Sequence, residues 1–172
     1  MKIFLVGFMG CGKTTLGKKL ASLLGYPFVD TDTLFEQNAG KSIPAFFAEF
    51  GEDKFRQTER NVLRNSPLPK DVVIATGGGA PCYSDNMEWM NQHGITVYLQ
   101  LAPSVLASRL ESATEVRPIL QSYKGAALVE FIKGKLAERE PYYNQARFKV
   151  EGPGITTAKL AEVICASHGH LR

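Results

Sequence analysis

The chain has 172 residues, 44% hydrophobic and 22% charged, values of an ordinary globular domain rather than of a disordered segment. Its net charge of +3 is too weak to point to a nucleic-acid partner, although it suits small anionic ligands. No apolar run approaches the ~20 residues of a membrane span, the first residues lack the form of a signal peptide, and Cys11, Cys82 and Cys165 make no CxxC pair, which excludes a disulfide framework or a zinc site. The expectation is one cytoplasmic domain over residues 1–172, a monomer with neither nucleic-acid nor membrane partners.

Apolar runs alternate with helical periodicity, the pattern of an α/β fold around a parallel sheet. Lys2–Val6 reads as a buried strand, followed by a helix over Lys13–Leu24 that Gly25 stops. Phe28–Asp30 is a second, short strand. Residues 33–38, 42–50 and 52–65 read as helices broken at Gly40 and Gly51. A third strand over 71–75 runs into Thr76-Gly77-Gly78-Gly79. A helix over 84–93, a strand over 95–101 and a helix over 103–111 follow, and Met87, Trp89 and Met90 have the spacing of core residues on the first of these helices. Residues 112–124 are polar and aperiodic, a mobile loop. A long amphipathic helix over 128–143, a last strand over 148–150, a closing helix over 156–167 and a frayed tail at 169–172 complete the chain. The predicted architecture is therefore a three-layer α/β/α fold with a five-stranded parallel sheet.

The most specific local signal is Gly7-Phe8-Met9-Gly10-Cys11-Gly12-Lys13-Thr14, which matches GxxxxGK(S/T) between a strand and a helix. Glycines allow the backbone to turn its amides inward, and the helix N-terminus adds partial positive charge, so the loop is suited to phosphate. Lys13 then reaches the β- and γ-phosphates, and the Thr14 hydroxyl can ligate magnesium. Gly10, Cys11, Gly12, Lys13, Thr14 and Thr15 are the expected ATP-binding residues of this loop. Cys11 reads as a small side chain where little bulk fits, with a redox-sensitive thiol as the sharper alternative.

Ligands of open parallel sheets sit beyond the carboxyl ends of the strands. Here the phosphate loop, Asp30-Thr31-Asp32 and Thr76-Gly77-Gly78-Gly79 all occupy such ends. An Asp-x-Asp pair on an extended segment points both side chains the same way. One carboxylate, Asp30, can then face magnesium through water while Asp32 faces an acceptor hydroxyl.

Five patterns in fixed order resemble the shikimate kinases: the phosphate loop, Phe28-Val29-Asp30-Thr31-Asp32, Gly51-Glu52-Asp53-Lys54-Phe55-Arg56 with Glu59, Thr76-Gly77-Gly78-Gly79-Ala80, and Val116-Arg117-Pro118-Ile119-Leu120 followed by Ala137-Glu138-Arg139-Glu140-Pro141-Tyr142-Tyr143. The resemblance implies a P-loop kinase fold with a helical substrate-binding insertion over 31–65 and a mobile lid over 112–124. It implies transfer of the γ-phosphoryl of ATP, with Mg²⁺, to the 3-hydroxyl of shikimate in aromatic amino acid (chorismate) biosynthesis. By the same resemblance Arg56 and Arg139 bind the shikimate carboxylate, for which a guanidinium fork is suited. Glu59 holds Arg56, Asp32 takes hydrogen bonds and a proton from the ring hydroxyls, and Gly77, Gly78 and Gly79 let the backbone approach the substrate. Arg117 brings positive charge to the γ-phosphate from the lid, and Arg109 lies beside the adenine. Cys11 and the stretch Pro81-Cys82-Tyr83 depart from common family forms. Two alternatives stay open on the residues alone: another small-metabolite P-loop kinase of the gluconate type, and a nucleotide-binding relative without catalysis.

Overall fold

The computed structural model describes residues 1–113 and 122–166. Five strands, β1 (Lys2–Val6), β2 (Phe28–Asp30), β3 (Val72–Ala75), β4 (Ile95–Gln100) and β5 (Phe148–Glu151), form one parallel sheet in the order β2-β3-β1-β4-β5. The helices are α1 (Lys13–Leu24), α2 (Thr31–Ala39), α3 (Ile43–Asn65), α4 (Asn86–His93), α5 (Pro103–Ser112), α6 (Gly125–Tyr143) and α7 (Thr157–Ala166), with a short 3₁₀ turn at Ala80–Cys82. Among the described residues no helix is long and apolar enough to cross a membrane.

The strands are short and apolar at consecutive positions because both sheet faces are covered. Ile3, Phe4, Leu5 and Val6 are all fully buried, although successive side chains of a strand point to opposite faces. Helices α1 and α7 pack on each other and on β3 and β5 respectively, while α4 packs on β4 and α5 on α6. A second, smaller core of Phe35, Phe46, Phe55 and Val62 holds α2 against α3. This side cluster makes residues 31–65 a helical lobe attached to the sheet at the end of β2.

Register decides what meets at the carboxyl edge. Ala75 of β3 lies opposite both Leu5 of β1 and Asp30 of β2, so Val6-Gly7, Thr31 and Thr76 emerge side by side. The chain leaves β2 directly into α2, which starts at Thr31 and not at residue 33 as predicted from periodicity. The reason is Asp30, whose carboxylate Oδ1 accepts from the Asp32 amide at 3.0 Å and caps the helix. The predicted break at Gly51 is present: α3 runs on either side of a residue with φ 75° and ψ 177°, outside the helical region.

Other boundaries differ by one or a few residues. Ser112 closes α5 instead of opening the loop, and α6 begins at Gly125, where the Glu111 carboxylate accepts from the Gly125 amide at 2.6 Å. The predicted helix over 84–93 starts only at Asn86, because Ser84 has φ 51°. Residues 114–121, with Arg117 and most of the predicted lid, lie outside the described residues, as does the predicted tail at 169–172.

Candidate active site

The phosphate loop turns sharply between β1 and α1. At Gly7, with φ 143°, a Cβ would lie 2.8 Å from the Leu99 carbonyl oxygen. Gly12 caps α1 with φ 102° and no side-chain cap, so the amides of the first helical turn have no protein carbonyl one turn back. They are available to an anion, and the helix dipole favours one there. Buried Lys13 crosses the loop, its Nζ donating to the Gly7 carbonyl at 2.8 Å and the Phe8 carbonyl at 3.0 Å.

The Thr14 hydroxyl donates to Asp30 Oδ2 at 2.8 Å, so one carboxylate both caps α2 and holds the loop threonine. This corrects the strand-alternation reading of Asp30-Thr31-Asp32. Asp32 sits in the first turn of α2 rather than on an extended segment, and the two carboxylates are aimed by the cap. Both still line one cleft of about 620 Å³ together with Gly10, Gly12, Lys13, Thr14, Thr15, Gly78 and Arg109. Thr14 and Asp30 are one hydroxyl and one carboxylate, the small donor set with which proteins hold Mg²⁺ jointly with nucleotide phosphates. Among the described residues no group of three or more His, Cys, Asp or Glu could hold a metal by itself.

Cys11 enters this site through its backbone. Its side chain is buried, with Sγ 3.8 Å from Lys13 Nζ, while its carbonyl accepts from Arg109 Nη1 at 3.4 Å. Burial of that thiol weighs against the redox alternative. Arg109 also donates to the Pro153 carbonyl at 3.4 Å, joining the phosphate loop to the segment after β5.

A second cleft of about 340 Å³ is lined by Glu52, Arg56, Gly79, Cys82, Lys135 and Arg139 among others. The triple glycine divides it from the first and brings the sequence-predicted residues together. A Cβ on Gly77 would lie 2.7 Å from Asp32 Oδ1 and 3.0 Å from Glu59 Oε1; on Gly78 it would lie 3.5 Å from both Arg139 Nη1 and the Met9 amide nitrogen. On Gly79 it would collide with the Arg56 guanidinium. Carboxylates, guanidinium groups and phosphate loop therefore close on one strap of backbone with no side chains of its own. Arg117 is the one predicted site residue outside the described residues.

The two cations are held differently. Arg56 pairs with Glu59 at 2.7 Å and lies over the Phe55 ring. Burial pushes the Glu59 carboxyl above its ordinary value, against the pull of Arg56. Arg139 lies over the Phe8 ring, 5.4 Å from its centroid, and its Nη1 is buried without a hydrogen-bond partner among the described residues. A buried guanidinium N–H without an acceptor is costly unless a ligand supplies one.

Sequence reasoning missed three parts of the site. The Thr31 hydroxyl accepts from the Gly77 amide at 3.0 Å. The Tyr143 hydroxyl donates to the Gly78 carbonyl at 2.5 Å, and the spacing of four residues from Arg139 on α6 is the signal that could have found it. Cys82 lines the second cleft, its thiol pushed up to about 11 by burial, and no motif marks it.

Comparison with known proteins finds relatives in both sequence and fold. The shikimate kinase family model matches residues 9–167. A shikimate kinase of Bacteroides fragilis is 50% identical over 148 residues, which cover 86% of this chain and 83% of that protein. The crystal structure of shikimate kinase from Bacteroides thetaiotaomicron superimposes with a TM-score of 0.89 at 43% identity, over 95% of this chain and 97% of the other. The solved structure of shikimate kinase from Acinetobacter baumannii in complex with shikimate gives a TM-score of 0.86 at 34% identity, over 98% of this chain and 95% of the other. By sequence and by fold, the chain belongs to the shikimate kinase family.

Proposed function

We propose that this chain transfers the γ-phosphoryl group of ATP to the 3-hydroxyl of shikimate, giving shikimate 3-phosphate and ADP for aromatic amino acid biosynthesis. The observation that carries the reading is the buried Nη1 of Arg139, without a partner among the described residues and set against Gly78 beside the phosphate loop. An acid bound between Arg139 and Arg56 would satisfy that donor at the strap, next to the cleft that takes the triphosphate.

In this reading the cleft of the phosphate loop takes ATP. Lys13 exchanges the Gly7 and Phe8 carbonyls for phosphate oxygens, and the open amides of α1 bind the same group. Arg109 borders the nucleotide, and Arg117 adds charge from the lid segment 112–124. Thr14 would hold Mg²⁺ directly and Asp30 through water. When bound, that ion neutralises charge between the β- and γ-phosphates.

Arg56, steadied by Glu59, and Arg139 fix the shikimate carboxylate, and Gly77, Gly78 and Gly79 admit the ring close to the backbone. Asp32 orients the acceptor hydroxyl. As the oxygen of that hydroxyl bonds to the γ-phosphorus, the bond from phosphorus to the bridging oxygen of ADP breaks and the hydroxyl proton passes to Asp32. The same reading has residues 1–172 acting as one monomeric kinase domain in the cytoplasm, with 31–65 as the substrate-binding segment. A coupled ADP-release assay with shikimate, gluconate and AMP tests it. Release with shikimate alone is expected; equal release with gluconate, or none with shikimate, refutes it.

A further inference from the structure

The triple glycine presents a problem that its own residues do not solve. Flexible glycines on both sides leave the Gly78–Gly79 peptide plane free to rotate, yet a backbone that binds a substrate must hold its donors still. The strap is held through its carbonyls. The Gly77 carbonyl accepts from the Ala80 amide at 3.2 Å and the Gly79 carbonyl from the Cys82 amide at 3.0 Å, both within the 3₁₀ turn. The Gly78 carbonyl instead accepts from a side chain 65 residues away, the Tyr143 hydroxyl at 2.5 Å. Among the described residues no acceptor bonds the amide of Gly78 or Gly79.

In a trans peptide the C=O and N–H point in opposite directions. Anchoring the Gly78 carbonyl therefore sets the direction of the Gly79 N–H, at a residue that lines the cleft with Arg56 and Arg139. We infer that Tyr143 is a positioning residue, pinning the Gly78–Gly79 peptide so that the Gly79 amide is presented as a donor to the acid substrate. The inference rests on the proposed shikimate site. Tyr143 is well placed for this: its ring is fully buried against Tyr98 at 5.0 Å between centroids, and it lies one helical turn from Arg139. Burial pushes its phenol above the ordinary value, so it stays a neutral donor throughout the physiological pH range.

The test compares Tyr143→Phe with Tyr98→Phe. Each keeps its ring and loses one hydroxyl, that of Tyr98 donating to Glu140 at 3.4 Å away from the strap. Tyr143→Phe should raise the shikimate KM about tenfold, the worth of one hydrogen bond, with the ATP KM and kcat changed by no more than about twofold. Tyr98→Phe should leave both KM values in place. Because the Tyr143 hydroxyl also meets the Arg139 guanidinium, the Gly79 amide resonance is followed as well. An unchanged shikimate KM in Tyr143→Phe, an equal rise in both KM values as expected for a merely structural role, or a Gly79 amide that shikimate shifts in Tyr143→Phe as it does in the unaltered chain overturns the inference. Should Tyr143→Phe fail to fold, NMR of the unaltered chain decides: shikimate should shift the Gly79 amide resonance and slow its hydrogen exchange, and an unmoved Gly79 amide overturns the inference. Failure of the unaltered enzyme to turn over shikimate would instead remove the functional reading itself.

Discussion

The substitution Gly79→Ala separates backbone from chemistry at the proposed acid site. Gly79 has φ −89° and ψ −17°, a right-handed conformation open to alanine without strain. On the backbone alone the change should stabilise by about 0.4–1 kcal/mol, through fewer states of the unfolded chain. The added methyl would fall inside 3.0 Å of three guanidinium atoms of Arg56, so that head group must move off the strap. Arg56 is 19% exposed and has room to swing while keeping part of its 2.7 Å pair with Glu59. If Glu59 loses contact, the burial that already holds its carboxyl above the ordinary value opposes an unpaired anion there, a cost set against the backbone gain. These opposed terms leave the stability within about 1 kcal/mol, roughly 2–4 °C in Tm for a chain of this size. Binding has no such compensation. A displaced Arg56 gives up a charge-assisted contact to the substrate carboxylate of about 1.5–3 kcal/mol, or roughly ten- to a hundredfold in kcat/KM for shikimate. Thermal melts and steady-state kinetics with each substrate varied measure both quantities. A near-normal Tm with unchanged kcat/KM for shikimate would refute the placement of the carboxylate beside Arg56.

Asp32→Asn should cut kcat by at least about a hundredfold, the range of general base catalysis, while the ATP dissociation constant stays within about threefold. Equal losses in turnover and ATP binding, by stopped-flow and calorimetry, would give Asp32 a structural role instead. Away from the site, the guanidinium groups of Arg64 at 2.6 Å and Arg60 at 3.1 Å hold the Asp85 carboxyl well below the usual carboxylate range. A carboxyl depressed in the folded state contributes stability above its unfolded value of about 3.9 and loses it as pH falls towards the folded value. The Tm gap between the native chain and Asp85→Asn should therefore be largest near neutrality, narrow below about pH 4, and shrink in salt because the Asp85 carboxylate is half exposed. A gap constant between about pH 7 and pH 3 would contradict this account.

Legibility followed distance along the chain. The phosphate loop could be read because its glycines, Lys13, Thr14 and the helix they open are contiguous, and the strand–loop–helix context is set by local pattern. The break at Gly51 was equally local. The start of α2 was misjudged by two residues because a cap competes with strand continuation at Asp30, and the Thr14 hydroxyl that shares this carboxylate comes from 16 residues earlier. Cys11 counted as a loop residue by position, but packing turned its thiol inward.

The amino-acid order alone determined five apolar strands with helices between them, a phosphate loop, and through the ordered motifs the family to which the chain belongs. Local propensity and spacing suffice for those. Only the tertiary structure decided that Gly79 abuts Arg56, that Arg139 keeps a buried donor beside Gly78 without a partner among the described residues, and that Tyr143 reaches the strap across 65 residues. Such contacts arise from sheet register and helix packing, which bring residues from separate strand ends to one edge, and no local pattern encodes which of them meet.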